Sequence, residues 1–294
     1  MSRKKNVALL SVGSNTLLIG MKLVVGMLSG SVSILSEAIH SMMDWVAAVI
    51  AYMSVRISDK PADECHPFGH EKVENISGVI EGLLIVVAAG WIIFEAVEKL
   101  LHPSAMAADK ALLGVAVMAI SATVNWLVSR KLYRVAREED SIALEADALH
   151  LKADVYTSLG VAVGLGLMWL THWSWLDPLV AILVALFILK EAVELVRHAF
   201  APLMDSALPE DEVQKVKRAI EQFAGEYLDY HDLRTRQSGK MRHIDLHLTL
   251  HRGMRLQEAH ALCDRIETAI ESSIQHAKVL IHPETCADDC ICEG

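Results

Sequence analysis

The chain has 294 residues, 53% hydrophobic and 22% charged, with a formal net charge of −10 at pH 7 and a mean hydropathy of +0.33. An apolar bulk of this kind, with uncharged runs longer than most soluble helices need, excludes an ordinary water-soluble globular protein and points to a membrane. The acidic balance is unsuited to nucleic acid, which selects a basic face.

Arg3, Lys4 and Lys5 precede the first apolar stretch, "NVALLSVGSNTLLIGM", which lacks a small-residue cleavage site and reads as a membrane span rather than a leader. The second span holds "SEAIHSMMD". After Asp44 only the 11 residues "WVAAVIAYMSV" remain before Arg56, too few for a bilayer that needs about 20 at 1.5 Å each. The helix therefore starts near Val32, and Glu37, His40 and Asp44 fall within or at the edge of the membrane. An ionisable group there costs several kcal/mol unless it is paired, solvated or bound to a metal.

In the next loop, "DECHPFGH", His66 and His70 are four apart, but Pro67 and Gly69 call for a turn rather than a helix. "GLLIVVAAGWIIF" marks the third span, and the 19 residues "ALLGVAVMAISATVNWLVS" between Lys110 and Arg130 the fourth. "VYTSLGVAVGLGLMWLTHWSWL" and "PLVAILVALFIL" complete six transmembrane helices, at about 6–28, 32–56, 76–101, 110–133, 142–172 and 176–200, within a membrane domain of residues 1–204. Arg56, Lys60, Lys72, Arg130, Lys131, Arg134 and Arg137 fall on the same side as Arg3, Lys4 and Lys5. The opposite loops carry Lys99 and Lys110 alone, so both termini are expected in the cytoplasm.

From about Asp205 the composition becomes that of a soluble domain, residues 205–294, with 17 Asp and Glu against 11 Lys and Arg. Its net −6 is compatible with attracting cations and not nucleic acid. "PEDEVQKVKRAIEQF" reads as a capped amphipathic helix. "MRHIDLHLTLH" alternates, with Ile244, Leu246, Leu248 and Leu250 on its apolar face and His243, His247 and His251 opposite. The helix "RLQEAHALCDRIETAIESSI" and the strand "AKVLIHPE" follow, giving a small α+β module of order αββαβ with one modest core. Cys263, among apolar helix neighbours, is expected in that core.

The chain repeats one arrangement. "EAIHSMMD" and "DALHLKAD" both read acid, two residues, His, three residues, Asp: Glu37, His40, Asp44 and Asp147, His150, Asp154. Offsets of three and four place each set on one helix face. With the termini inside, the second span descends and the fifth ascends, so two His and two Asp converge and suit a four-coordinate divalent ion. One such pair would serve equally as an inter-helix hydrogen-bond contact; two matching pairs favour the ion. For Glu37 and Asp147, an access path and a structural role both stand.

"SVSILSEAIHSMMDWVAA", "CHPFGHEKVENISG", "EADALHLKADVYTSLGV" and "HDLRTRQSGKMRHIDLHLTL" resemble, in this order and over nearly the whole chain, the cation diffusion facilitator family of bacterial zinc-exporter type. The resemblance implies a homodimer with six transmembrane helices per protomer, a cytoplasmic metallochaperone-like C-terminal domain, and export of zinc or a similar ion in exchange for protons. It places the transport site on His40, Asp44, His150 and Asp154, the four that spacing selects. Histidine at position 40 is similar to the zinc-preferring form of the family, with Cd2+, Fe2+, Mn2+ and Co2+ as related cargo. A second site is implied at Asp63, His66 and His70, where Cys65 is an addition, and a third at His231, His247, His260, His282 and Glu284. Glu284 stands where the family pattern has Asp.

The tail "CADDCICEG" adds Cys286, Cys290 and Cys292, reduced in the cytoplasm, for which soft-metal capture and an unstructured tail both stand. Lys72 and Asp205 lie on one membrane side, where they can pair across the hinge. The expected function is secondary active export of divalent cations, Zn2+ first, from a bacterial inner (plasma) membrane whose lipid the helices contact. His and Asp bind metal only when deprotonated, so protons compete for the same lone pairs, with His150 and Asp154 expected to carry most of the exchange. An intramembrane metallohydrolase is disfavoured, because two His and two Asp fill the tetrahedron and no HExxH is present. A metal-permeable channel and a metal-sensing membrane protein are the alternatives.

Overall fold

The computed structural model describes residues 3–29, 32–101, 111–171 and 175–286; the side chains of residues 30–40, His40 and Glu37 among them, lie outside the described set. Two compact units divide near Phe200 and Ala201.

The first unit contains six long helices, α1 (Arg3–Ser29), α2 (Val32–Ser58), α3 (Lys72–Leu101), α4 (Ala111–Glu138), α5 (Ile142–Thr171) and α6 (Leu176–Phe200). The shortest of these, at 25 residues, is about 37 Å long at 1.5 Å per residue, more than the ~30 Å of a hydrocarbon core. By length and composition alone, Arg3–Val25 and Lys72–Glu98 are apolar enough to cross a membrane, with mean hydropathies of 1.6 and 2.2. Two helices run past the hydropathy signal. α3 starts at Lys72 rather than 76, and α4 continues through "SRKLYRVARE" to Glu138. Backbone hydrogen bonds there persist although the side chains have become charged. α4 ends where Asp140 takes a left-handed φ of 48° and the Ser141 N–H bonds the Ala136 carbonyl at 2.9 Å, closing the helix before α5.

Two apolar clusters hold the bundle. Val7 and Ala8 of α1, Val55 of α2, Val128 and Leu132 of α4, and Leu144 and Leu151 of α5 bury one another at one end. Ile85 and Ala89 of α3 meet Ala153 of α5 and Ile188 and Ala192 of α6. α3 reaches α6 closely because Gly78 and Gly82 lack a side chain: a Cβ on Gly78 would lie 2.5 Å from Ile142 Cγ2 and 3.1 Å from Ala199 Cβ. Glu74, in the first turn of α3, is buried among four elements. It pairs with Lys4 of α1 at 2.7 Å, accepts from Ser58 of α2 at 2.7 Å, and accepts from Ser141 of the α4–α5 turn.

The second unit contains a short 3-10 turn (Ala201–Met204), α7 (Glu210–Glu221), β1 (Asp229–Ser238), β2 (Met241–Leu250), α8 (Leu256–Ser273) and β3 (Ala277–Thr285), the αββαβ order. The sheet order is β1-β2-β3, antiparallel between β1 and β2 and parallel between β2 and β3. Ile244, Leu246, Leu248 and Leu250 bury the apolar face of β2 together with Val216 and Ile220 of α7 and Leu262, Cys263, Ile266 and Ile270 of α8. The expected cap of α7 is corrected. Pro209 stands at the N-cap and makes no side-chain hydrogen bond; Glu210, Asp211 and Glu212 instead complement the positive end of the helix.

Candidate metal centres

α2 and α5 pack against each other and bring acid and imidazole together. His150 and Asp154, four apart on α5, share a helix face, and Asp44 of α2 meets them. His150 Nε2 and Asp44 Oδ1 are 3.1 Å apart, and one ligand atom from each of Asp44, His150 and Asp154 lies within 4.8 Å of the other two. Asp44 is buried, and His150 and Asp154 are partly buried. His40 is one turn before Asp44 on α2, its side chain outside the described set. Two carboxylates and an imidazole supply hard and borderline lone pairs at a spacing that one divalent cation can gather.

The residue that sequence reasoning missed is Asn125 of α4. Its Nδ2 donates to Asp154 Oδ2 at 3.3 Å and so fixes the carboxylate's orientation. An amide inside the apolar run "ALLGVAVMAISATVNWLVS" was the available signal. Beside the site, Lys22 of α1 donates to Ser41 of α2 at 2.6 Å, a buried tie between the two helices.

The second group stands in the loop between α2 and α3. Asp63 Oδ1 accepts from the backbone N–H of His66 at 2.7 Å and of Cys65 at 3.0 Å, an Asx-type turn that folds the loop back on itself. Gly69 has a φ of +92°, the left-handed geometry its position in the turn demands. Asp63 then lies 3.4 Å from His66 Nδ1 and 3.3 Å from His70 Nε2, and the three form one ligand group, with the His66 and His70 ring centroids 4.5 Å apart. The hydrogen bond from the His66 backbone holds the Asp63 carboxyl below the usual carboxylate range, and the two imidazoles add to it. Cys65, whose thiol is exposed, is not part of the group.

In the second unit the sheet register aligns three imidazoles. His231 of β1 pairs with His247 of β2, which pairs with His282 of β3. The ring centroids are 5.4 Å apart for the first pair and 4.9 Å for the second. Glu284, two residues beyond His282 on the same face, reaches His231 Nε2 at 3.1 Å and His247 Nδ1 at 3.4 Å. His231, His247 and Glu284 form the third ligand group. His282 stands in the row without joining the group. His260 is on α8 beside Asp264, 3.5 Å away, and is not part of that group. Cys286 is buried just past β3, where its N–H bonds the Leu250 carbonyl at 3.3 Å. Cys290 and Cys292 lie outside the described residues. Asp205 pairs with Arg236 at 3.3 Å inside the second unit.

Residues 8–204 match the cation efflux transmembrane domain, and residues 208–286 match the cytoplasmic domain of cation efflux proteins. The chain belongs to the cation efflux family. An uncharacterized transporter of Synechocystis sp. is 37% identical over 281 residues, which cover 96% of this chain and 90% of that protein. The cation-efflux pump FieF of Salmonella choleraesuis is 32% identical over 284 residues, 97% of this chain and 93% of the pump. Among solved structures, a chain of CzrB, a proposed zinc transporter, is 30% identical, covers 28% of this chain and all of its own, and has a TM-score of 0.27. This cation efflux protein thus has a membrane-integral transport domain and a cytoplasmic domain with a small sheet and helices.

Proposed function

We propose that this cation efflux protein exports divalent metal cations, Zn2+ before Cd2+, Fe2+, Mn2+ or Co2+, from the cytoplasm in exchange for protons. The observation that carries this reading is the convergence of Asp44, His150 and Asp154 ligand atoms within 4.8 Å of one another on two long helices. His40, one turn from Asp44, is the fourth ligand of the proposed tetrahedron. The Zn2+ preference is supported by the imidazoles in that set.

Six membrane-spanning helices, a boundary at residues 204 and 205, and both termini in the cytoplasm of a bacterial inner membrane complete the proposed topology. The excess of Lys and Arg on one side supports it. The protein works as a homodimer in this reading, supported by the match at residues 208–286 to a dimer-type cytoplasmic domain. Transport follows from a site that opens to either side as one group of helices rocks on another, α2 against α5 at the ligands. Protons from outside compete for the lone pairs of His150 and Asp154 and release the ion. The loop group Asp63, His66, His70 and the sheet group His231, His247, Glu284, with His282 and His260 beside it, are proposed cytoplasmic binding sites that report metal supply. Cys286, Cys290 and Cys292 are proposed as accessory soft ligands.

The test is zinc uptake into proteoliposomes that contain an internal indicator, with and without a pH gradient. Uptake should require the gradient and vanish in Asp154→Ala. Uptake that ignores the gradient identifies a channel, and uptake that survives the substitution removes α5 from the path.

A further inference from the structure

Two carboxylates of the membrane domain stand outside all three ligand groups. Glu81 of α3 and Asp147 of α5 have no exposed surface at all. Glu81 Oε1 accepts from the Ser77 hydroxyl at 2.8 Å, and its Oε2 has no hydrogen-bond partner. Both Asp147 oxygens lack one; the buried Ser11 hydroxyl of α1 acts on Asp147 from the side without closing a hydrogen bond. A buried polar atom left bare costs about 1–3 kcal/mol, and more for a charge.

Glu81 stands on α3 between Gly78, whose Cβ would meet Ile142 Cγ2 of α5 at 2.5 Å, and Ile85, which packs with Ala153 of α5, so it faces the stretch of α5 that carries Asp147; the Asp147 charge acts on Glu81, and His150 acts on both. Among the described residues the neighbouring elements bring no counter-charge: on α1, Lys4 is engaged by Glu74 and Lys22 by Ser41. On α6, Glu191 is paired with Lys152 at 3.3 Å, His198 lies 3.6 Å from Glu145, and the groups facing Gly82 of α3 are the aliphatic Val196 and Leu195. From α2 the charged group is Asp44, engaged by His150; from α4, Asn125 bonds Asp154. Among the described residues, no Lys or Arg forms an ion pair with Glu81 or Asp147. Two acids enclosed together with one imidazole nearby cannot both carry bare charge in a low-dielectric interior.

We infer that Glu81 and Asp147 hold one proton between them, an acid pair distinct from the cation ligands and one helical turn before His150. The pair rests on the exchange of cation for protons proposed above and gives it a second proton-binding place. A divalent cation at Asp44, His150 and Asp154 brings positive charge beside the pair and favours its fully ionised form, so the proton passes to water. When the cation leaves, a proton returns from water to one of the carboxylates. No electrons move and no bond other than O–H forms or breaks.

The test uses the full-length protein in detergent at neutral pH. Infrared difference spectra with and without zinc should show loss of a protonated-carboxyl carbonyl band in the wild type. The change should disappear in Glu81→Gln/Asp147→Asn and persist, displaced, in Glu81→Asp, which also serves where the double variant loses cooperative unfolding. Calorimetry in two buffers of different ionisation enthalpy should show about one proton fewer released per zinc in the double variant. No such band in the wild type, or the same band change and proton count in the double variant, overturns the pair. Loss of one bound zinc in the double variant overturns it as well, in favour of a cation bridge. If a pH gradient fails to drive transport while the band behaves as stated, the exchange reading fails and the acid pair stands. If the gradient drives transport and the proton count is unchanged, the pair fails alone.

Discussion

His150 Nε2 stands 3.1 Å from Asp44 Oδ1, although the two residues are 106 positions apart in the chain. The contact exists only while α2 and α5 keep one axial register, so sliding of α2 along α5 would separate the two side chains. Asn125, from a third helix, donates to Asp154 and orients its carboxylate. Asn125→Leu keeps volume and removes the donor. It should weaken zinc binding about 10–100-fold, as loss of an orienting partner does, while Asp44→Asn, which removes a carboxylate of the proposed site, should weaken it further. Calorimetric zinc titration at constant pH measures both. An Asn125→Leu protein that binds zinc as tightly as wild type would show that Asp154 needs no orientation.

Glu74 gathers Lys4, Ser58 and Ser141, residues from three other parts of the bundle, into one buried cluster. Glu74→Ala leaves the Lys4 ammonium buried, and among the described residues its remaining opposite charge is Asp59, 3.8 Å away and shared with Lys5. The expected loss is about 3–5 kcal/mol, the cost of removing one partner of a buried pair. Lys4→Met/Glu74→Met, which removes both charges, should restore much of it. Thermal unfolding in detergent reads both, and an unchanged Tm for Glu74→Ala would mean the cluster does not bind the helices together.

The two repeats were legible because an i, i+3, i+7 spacing carries a helix face in the sequence itself, and Ile244 to Leu250 were legible because a strand alternates. Neither depends on where distant parts of the chain meet. Glu74, Asn125 and the Glu81–Asp147 pair were not legible, since each takes its meaning from partners 16 to 70 positions away. Helix ends failed for a different reason. Hydropathy stops at Arg130 while the backbone hydrogen bonds of α4 go on to Glu138. The alignment of His231 with His247 required the register of β1, whose irregularity between His231 and Arg234, with Asp232 at a φ of 51°, no alternation shows.

Asp63 gives the loop group a defined pH behaviour. Its carboxyl is held low first by the His66 backbone N–H, so its folded-state pKa lies below the unfolded one. The stabilisation it brings is therefore complete above the unfolded value of about 3.9 and is lost only as pH falls through the lower folded value. Across roughly pH 5 to 8 the carboxylate therefore stays ionised and open to a cation. In an Asp154→Ala background, Asp63→Ala should weaken zinc binding to the loop and leave the shape of its pH profile over this range unchanged. A profile that changes shape in Asp63→Ala would show that the carboxylate titrates within this range.

Close approach of α3 to α6 depends on the absence of two side chains. A Cβ at Gly78 would meet Ile142 Cγ2 at 2.5 Å, and one at Gly82 would meet Val196 Cγ2 at 2.6 Å, whereas Gly90 on the same helix has nothing within 4 Å. Gly78→Ala and Gly82→Ala should each cost about 1–3 kcal/mol, the usual penalty for overfilling a packed contact. Gly90→Ala, which gains helix propensity without a clash, should be neutral or stabilise by up to about 1 kcal/mol. Thermal unfolding of the three variants separates packing from propensity, because propensity alone would move all three the same way. The transport assay adds a second reading. If α3 and α6 move as one body while α2 rocks against α5, Gly78→Ala and Gly82→Ala lower stability more than turnover. A variant that keeps its Tm and loses transport would place the sliding surface between α3 and α6.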